Sequence, residues 1–217
     1  MEIVIFLYKG FTALDAIGPY EVVSRLPNAK VKFAAKQKGI IESEYPSLKL
    51  VAEYALSEIK QTDILLVPGS TQAFLGVSKD KEVLNEIRRI DATTQWTTSV
   101  CSGSVILAAT GLLNGVPATS HWGALKRLEE LGAQPVKERY VRHGKFVTGA
   151  GVSAGIDMAL YLTTLLEGES YAQMVQLVVE YYPNPPLATK ELGAVPTTVV
   201  ENAKQFLQKE MKMMSGA

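Results

Sequence analysis

Cys101 is the only cysteine in the 217-residue chain, and it lies within "WTTSVCSGSVILAATGLLNG", residues 96–115, between a β-branched run and a long apolar helical stretch. A cysteine at such a strand-to-helix turn faces the free N–H groups and positive end of the next helix. Both lower a thiol's pKa and favour the nucleophilic thiolate. The small neighbours Ser99, Ser102 and Gly103 suit a sharp elbow like the one that presents serine in many hydrolases. The same apolar setting also suits a cysteine that only fills core. Asp15, in "LDAIGPYEV", is a candidate acid/base partner for the thiol, or a helix-start carboxylate worth roughly 1 kcal/mol of capping. Pro68-Gly69-Ser70 ends the apolar run "DILLV". The backbone N–H of Ser102, with that of Gly69 or Ser70, is a candidate donor to negative charge developing on a substrate. His121, in "ATSHW", is a possible base for the cysteine or a helix-start histidine bonded to backbone. Glu21 reads as a surface or hydrogen-bonding residue, and His143 as an exposed residue of a tight turn.

The elements that must position these residues alternate between strand and helix. Strands are predicted at 2–8, 30–36, 49–54, 62–70 and 96–100, with a strand–turn–strand at 139–151 turning at His143-Gly144. Helices are predicted at 12–26, 81–92, 102–113, 122–132, 153–168, 170–182 and 195–213. The first is entered through Thr12, with Asp15 in capping-box position, and is expected to restart at Gly18-Pro19. Such alternation gives an α/β fold: one domain over 1–217, a mostly parallel sheet with helices on both faces. In open sheets of this kind ligands bind beyond the carboxyl ends of the strands, where Asp15, Gly69-Ser70 and Cys101 all fall.

Composition narrows the function. Lys plus Arg and Asp plus Glu are 22 each, and no basic stripe suggests a nucleic-acid surface. The N-terminal "MEIVIFLYKG" has no basic segment before its apolar run and reads as a strand rather than a signal peptide. No uncharged apolar stretch reaches the roughly 20 residues of a membrane span. One cysteine makes no internal disulfide, so a reducing cytoplasm is expected; with two histidines, a metal site is poorly supported.

"LDAIGPYEV", "DILLVPG", "VCSGSVILAATGLLNGVPATSHW" and "GAGVSAGIDMALYL" follow one another in an order and spacing that resembles the DJ-1/PfpI superfamily over nearly the whole chain. That resemblance implies a flavodoxin-like three-layer sandwich with Cys101 as the elbow nucleophile. It also implies Asp15 where a thiol-bonded glutamate is usual, and His121 where several subfamilies place a histidine. Asp15, "ATSHW", "SAGID" and the tail "VEYYPNPPLATKELGAVP" look most like the isocyanide hydratases. By that likeness the substrate is a small R–N≡C molecule hydrated to an N-formamide through a Cys–Asp pair, without cofactor or metal, in a homodimer. Val152, Ile17 and Trp122 are expected to line the wall for the R group. Two departures stand out: Ser102 where threonine is common in hydratases, and "PGS" where "PGG" is usual, which leaves the donor at residues 69–70 open.

Other readings stay on the table. A cofactor-independent glyoxalase would want glutamate at position 15 and a working histidine, and only the histidine is present. A PfpI-type peptidase depends on a hexameric interface. The same core also forms the N-terminal part of AraC-type regulators, but no room is expected before Ala217 for their DNA-binding helices. A non-enzymatic redox sensor would use an exposed thiolate that oxidises to sulfinate.

Overall fold

The computed structural model describes residues 1–187 and 194–214. The first half of the chain holds β1 (Glu2–Leu7), α1 (Ala13–Val23), β2 (Lys30–Ala35), β3 (Gly39–Glu42), β4 (Lys49–Ala52), β5 (Tyr54–Ala55), β6 (Ile64–Val67), α2 (Phe74–Val77), α3 (Lys81–Asp91), β7 (Trp96–Ser99) and α4 (Gly103–Ala109). The second half holds β8 (Pro117–Ala118), α5 (Leu125–Glu130), β9 (Gln134–Pro135), β10 (Tyr140–His143), β11 (Phe146–Gly149), α6 (Ala154–Glu167), α7 (Glu169–Val178) and α8 (Thr197–Met214). A seven-stranded sheet in the order β10-β11-β7-β6-β1-β2-β5 forms the centre. Its neighbours are parallel except β10, which runs antiparallel to β11.

β1 is nearly all apolar because both of its faces are covered. Ile3 and Ile64 pack with Val22, Ala159, Leu162 and Val175 on the side of α1, α6 and α7. Val4 and Leu65 join the cluster that holds Ile87 of α3 and Val105 of α4. The expected α/β sandwich is therefore present. The inner register, with Val67 beside Ser99 and Thr148 beside Ser99, brings three strand ends to one edge of the sheet.

Several local expectations give way to tertiary packing. Residues 49–54 do not form one strand: β4 pairs antiparallel with β3 in a separate hairpin, and only β5 joins the sheet. β3 and the small β8–β9 pair carry no clear sequence signal. α1 does not restart at Pro19 but runs through it. A mid-helix proline costs about 3 kcal/mol, and α6 supplies the offset by packing tightly there. A Cβ on Gly18 would meet Ile156 Cγ1 at 3.1 Å, and one on Gly155 would meet Pro19 Cγ at 3.1 Å. The expected capping box also does not form. Thr12 is the N-cap, but its side chain caps nothing in its own helix, and its hydroxyl instead donates to Glu44 Oε1 at 3.0 Å. Of the expected tail motif, residues 188–193 lie outside the described residues.

Candidate active site

β7 runs into a turn in which Cys101 has φ +57°. The left-handed region costs an L-residue about 1–2 kcal/mol and persists only where the surroundings over-determine it. Here they do. The Cys101 N–H donates to the carbonyls of Ala150 at 2.7 Å and Gly149 at 3.2 Å, at the end of β11. Its carbonyl accepts from Ser120 Oγ at 3.0 Å and Ser104 Oγ at 3.3 Å. Ser102 is tied to the neighbouring loop, its hydroxyl donating to the Ser70 carbonyl at 2.7 Å and accepting from the Ser70 N–H at 2.9 Å. Glycine is required on both sides. A Cβ on Gly103 would lie 2.0 Å from the Val67 carbonyl oxygen, and one on Gly69 would lie 2.4 Å from Ser102 N. The turn is built to present the cysteine.

Asp15 comes to this turn from α1. It is fully buried, and its Oδ2 accepts from the Gly69 N–H at 2.9 Å. Its Oδ1 is buried with no hydrogen-bond partner among the described residues. The Cys101 thiol is close enough to stabilise the carboxylate but makes no hydrogen bond of normal geometry to it. Burial holds the Asp15 carboxyl well above the usual carboxylate range; the Gly69 N–H opposes that, and the Glu44 charge adds to it. The thiol is affected the same way. Burial first, then the negative charge of Asp15, push Cys101 well above the ordinary thiol range, and the Ser102 N–H only partly offsets them. The helix-end effect that favours a thiolate is opposed here. Cys101 is 5% exposed and faces a buried carboxyl, and these outweigh a helix of two turns.

The expected anion donors need a second correction. The Gly69 N–H is taken by Asp15 and the Ser70 N–H by Ser102, so neither is open to a substrate in this structure. The Ser102 N–H remains, directed at the sulfur.

Cys101, Ser102, Ser70, His121, Trp122 and Val152 line one cavity of about 570 Å³, a size suited to a small-molecule ligand. Ile17 does not line it. Burial lowers the His121 pKa. Its Nδ1 accepts from the Gly123 N–H at 3.2 Å, which leaves the ring proton on Nε2, and it makes no hydrogen bond to Cys101. The helix-start alternative therefore describes its bonding, although the ring shares the thiol's cavity. Glu21 is exposed and pairs with Arg25 at 3.0 Å, and His143 is exposed at the end of β10.

Some residues of the site had no sequence signal. Tyr8, just past β1, donates from its phenol to the Pro68 carbonyl at 3.1 Å, and burial holds that phenol protonated. Glu44 enters from the β3–β4 connection. Lys204, Leu207, Gln208 and Met211 of α8 close the outer side of the cavity with Lys126 of α5. Among the described residues no group of three or more His, Cys, Asp or Glu is placed to hold a metal ion. No described helix is long and apolar enough to cross a membrane.

The β7–α4 elbow with its strained cysteine makes this an α/β sandwich of the elbow-cysteine kind. The DJ-1/PfpI family model matches residues 1–165, and the chain belongs to the DJ-1/PfpI family. Over 214 residues it is 37% identical to the isonitrile hydratase of Pseudomonas putida, covering 98% of this chain and 92% of that protein. A solved ThiJ/PfpI family protein from Pseudomonas syringae is 34% identical with a TM-score of 0.89, over 98% of this chain and 90% of that one. Schizosaccharomyces pombe DJ-1, at 16% identity and TM-score 0.72 over 84% of this chain, shares the fold. The HTH-type transcriptional regulator CdhR of Pseudomonas aeruginosa is 31% identical over 123 residues, only 36% of its length.

Proposed function

We propose that the protein is an isocyanide hydratase, converting R–N≡C and water to R–NH–CHO through a covalent thioimidate on Cys101. One observation carries the chemistry: the fully buried Asp15 carboxyl, whose Oδ1 has no hydrogen-bond partner among the described residues, interacts with the thiol of a cysteine held in a strained turn. The 37% identity to an isonitrile hydratase over nearly the full length of both chains supports the substrate class.

The pair works without a standing thiolate. As sulfur attacks the terminal carbon, Asp15 delivers its proton to that carbon and takes the thiol proton in exchange, giving R–N=CH–S–Cys101. Coupling of this kind makes the titration a property of the pair rather than of either group. Asp15 then gives its proton to the nitrogen as water adds to the CH carbon and returns a proton to Asp15, giving R–NH–CH(OH)–S–Cys101. As the C–S bond breaks, the hydroxyl proton passes by way of Asp15 to sulfur and R–NH–CHO leaves. Phe74, Trp122, Val152 and Leu207 supply the apolar wall for the R group. Ser102 keeps the elbow in place rather than receiving charge through its hydroxyl.

A redox sensor fits less well, because sensor thiols are exposed and of low pKa, whereas burial and two carboxylates hold this one protonated. We further propose a homodimer working in the cytoplasm. The exposed Met174, Leu177 and Val178 of α7 are surface available to a second copy, and sedimentation of the purified protein decides it. The test of function is formamide production from a simple aryl isocyanide by wild type, Cys101→Ala and Asp15→Asn. Turnover that the first variant abolishes and the second cuts at least about 100-fold supports both roles. A reduced wild-type protein that makes no formamide refutes the reading.

A further inference from the structure

Glu44 is not on any element that flanks Cys101, yet three bonds fasten it to the site. Its Oε1 accepts from Thr12 Oγ1 at 3.0 Å, its Oε2 accepts from the Thr71 N–H at 3.0 Å, and its own N–H donates to the Phe11 carbonyl at 2.9 Å. Thr12 begins the helix that carries Asp15, and Thr71 lies two residues beyond Gly69. The same two loops are joined again deeper in, where the Thr12 N–H donates to the Gly69 carbonyl at 2.9 Å and the Gly69 N–H to Asp15 Oδ2 at 2.9 Å. Glu44 thus closes a ring of hydrogen bonds around the loops that hold the proton partner of the thiol. It also lines the Cys101 cavity. Both of its oxygens act as acceptors, as in an ionised carboxylate.

We propose that Glu44 is a positioning residue of the thiol site, which clamps the Asp15 loop to the Gly69 loop and fixes a negative charge at the mouth of the Cys101 cavity. The charge acts on the pair from outside: it adds to burial in keeping the proton on Asp15 and on Cys101. The other titratable or charged groups facing this space are Tyr8 from the end of β1, His121 from the loop before α5, Lys126 from α5 and Lys204 from α8. Tyr8 and His121 are neutral near pH 7, since burial moves each away from its charged form. The two lysines stand on the outer rim and make no hydrogen bond or ion pair with described residues, so they oppose Glu44 only through solvent.

Two variants separate clamp from charge. Glu44→Gln keeps both bonds, its amide oxygen accepting from the Thr71 N–H and its NH2 donating to Thr12 Oγ1, but removes the charge. Glu44→Asp keeps the charge but is one methylene too short to span Thr12 and Thr71. The readouts are the pH dependence of Cys101 alkylation by iodoacetamide and, resting on the hydratase reading, kcat and KM against pH with an aryl isocyanide. For Glu44→Gln the alkylation curve should move to lower pH by about one unit, and the kinetic profile with it. Glu44→Asp should keep the wild-type curve while kcat falls several-fold at little change in KM. A Glu44→Gln curve that superimposes on wild type, or a Glu44→Asp curve displaced as far as that of Glu44→Gln, would overturn the proposal. Alkylation needs no substrate, so absence of isocyanide turnover would count against the hydratase reading and leave the role of Glu44 decided by the thiol.

Discussion

The inner and outer walls of the cavity are made differently. On the inner wall, Cys101 and Ser102, backed by Asp15 and Gly69, are buried, the loops that carry them are cross-tied, and two glycines are required by close approach. All lie within the residues matched by the family model, 1–165. The outer wall is α8, beyond that match. It reaches the cavity with Lys204, Leu207, Gln208 and Met211, leaves Phe206 and Met213 exposed, and is fastened on one side by Tyr45 donating to Glu210 at 2.7 Å. The difference teaches a division of labour. On the proposed reading, the wall that positions sulfur and carboxyl tolerates little change, and the wall that meets the R group tolerates more. Catalytic geometry should fail when the inner wall is touched, and selectivity should shift when the outer wall is.

The largest effect is expected from Gly69→Ala. Its Cβ would press on Ser102 N and Cys101 Cβ at 2.4 and 2.9 Å, both parts of the fixed elbow. Loss of at least about 3 kcal/mol, roughly 10 °C in Tm, with activity abolished, is the outcome to check by thermal unfolding and formamide assay. A folded, active Gly69→Ala protein would show the inner wall to be looser than its geometry.

Next is Asp15→Asn. The folded-state pKa of Asp15 is raised, so the native protein holds a proton that the unfolded chain releases near pH 4. The stability from that protonated group is complete below about pH 4 and is lost as pH climbs toward the raised value. Asparagine accepts from the Gly69 N–H without titrating. The variant should therefore melt a few degrees above wild type at pH 7–8, with the gap closing toward pH 4, while losing activity. A constant gap across pH would contradict the raised carboxyl.

Cys101→Gly sharpens the comparison more gently. Glycine accepts φ +57° without strain, so Tm should rise by roughly 3 °C, about 1 kcal/mol, with the thiol gone. An unchanged or lower Tm would place the strain elsewhere. The smallest effect falls on the outer wall. Leu207→Ala should raise KM for a bulky aryl isocyanide about fivefold, with kcat within twofold. An equal fall in kcat would erase the distinction between the walls.

The elbow was legible in the sequence because its causes are local: a strand, a small-residue turn and a glycine where the chain crosses Val67. The sheet was legible for the same reason, through the apolar runs at 2–8 and 62–70. The capping box expected of Thr12 and Asp15 is a local pattern, and it failed because both side chains are drawn to other loops. Gly69 and Ser70 looked like open donors only because their acceptors, Asp15 and Ser102, lie 54 and 32 residues away in sequence. Glu44 left no trace, and α8 was predicted as the helix at 195–213 but without its place at the cavity. A hairpin that folds back over the sheet edge, and a helix whose apolar face reads the same whether it packs on core or on a cavity, reveal their targets only in three dimensions. Burial, too, outweighed the helix-end effect that suggested a thiolate.

The most direct test is mass spectrometry of protein quenched with acid during turnover of an aryl isocyanide, with the peptide containing Cys101 mapped. The expected result is a mass increase equal to one isocyanide on Cys101, formed and lost within turnover, and absent in Cys101→Ala together with all formamide production. Formamide formation with Cys101 unmodified throughout, and undiminished in Cys101→Ala, would contradict the covalent role of the cysteine.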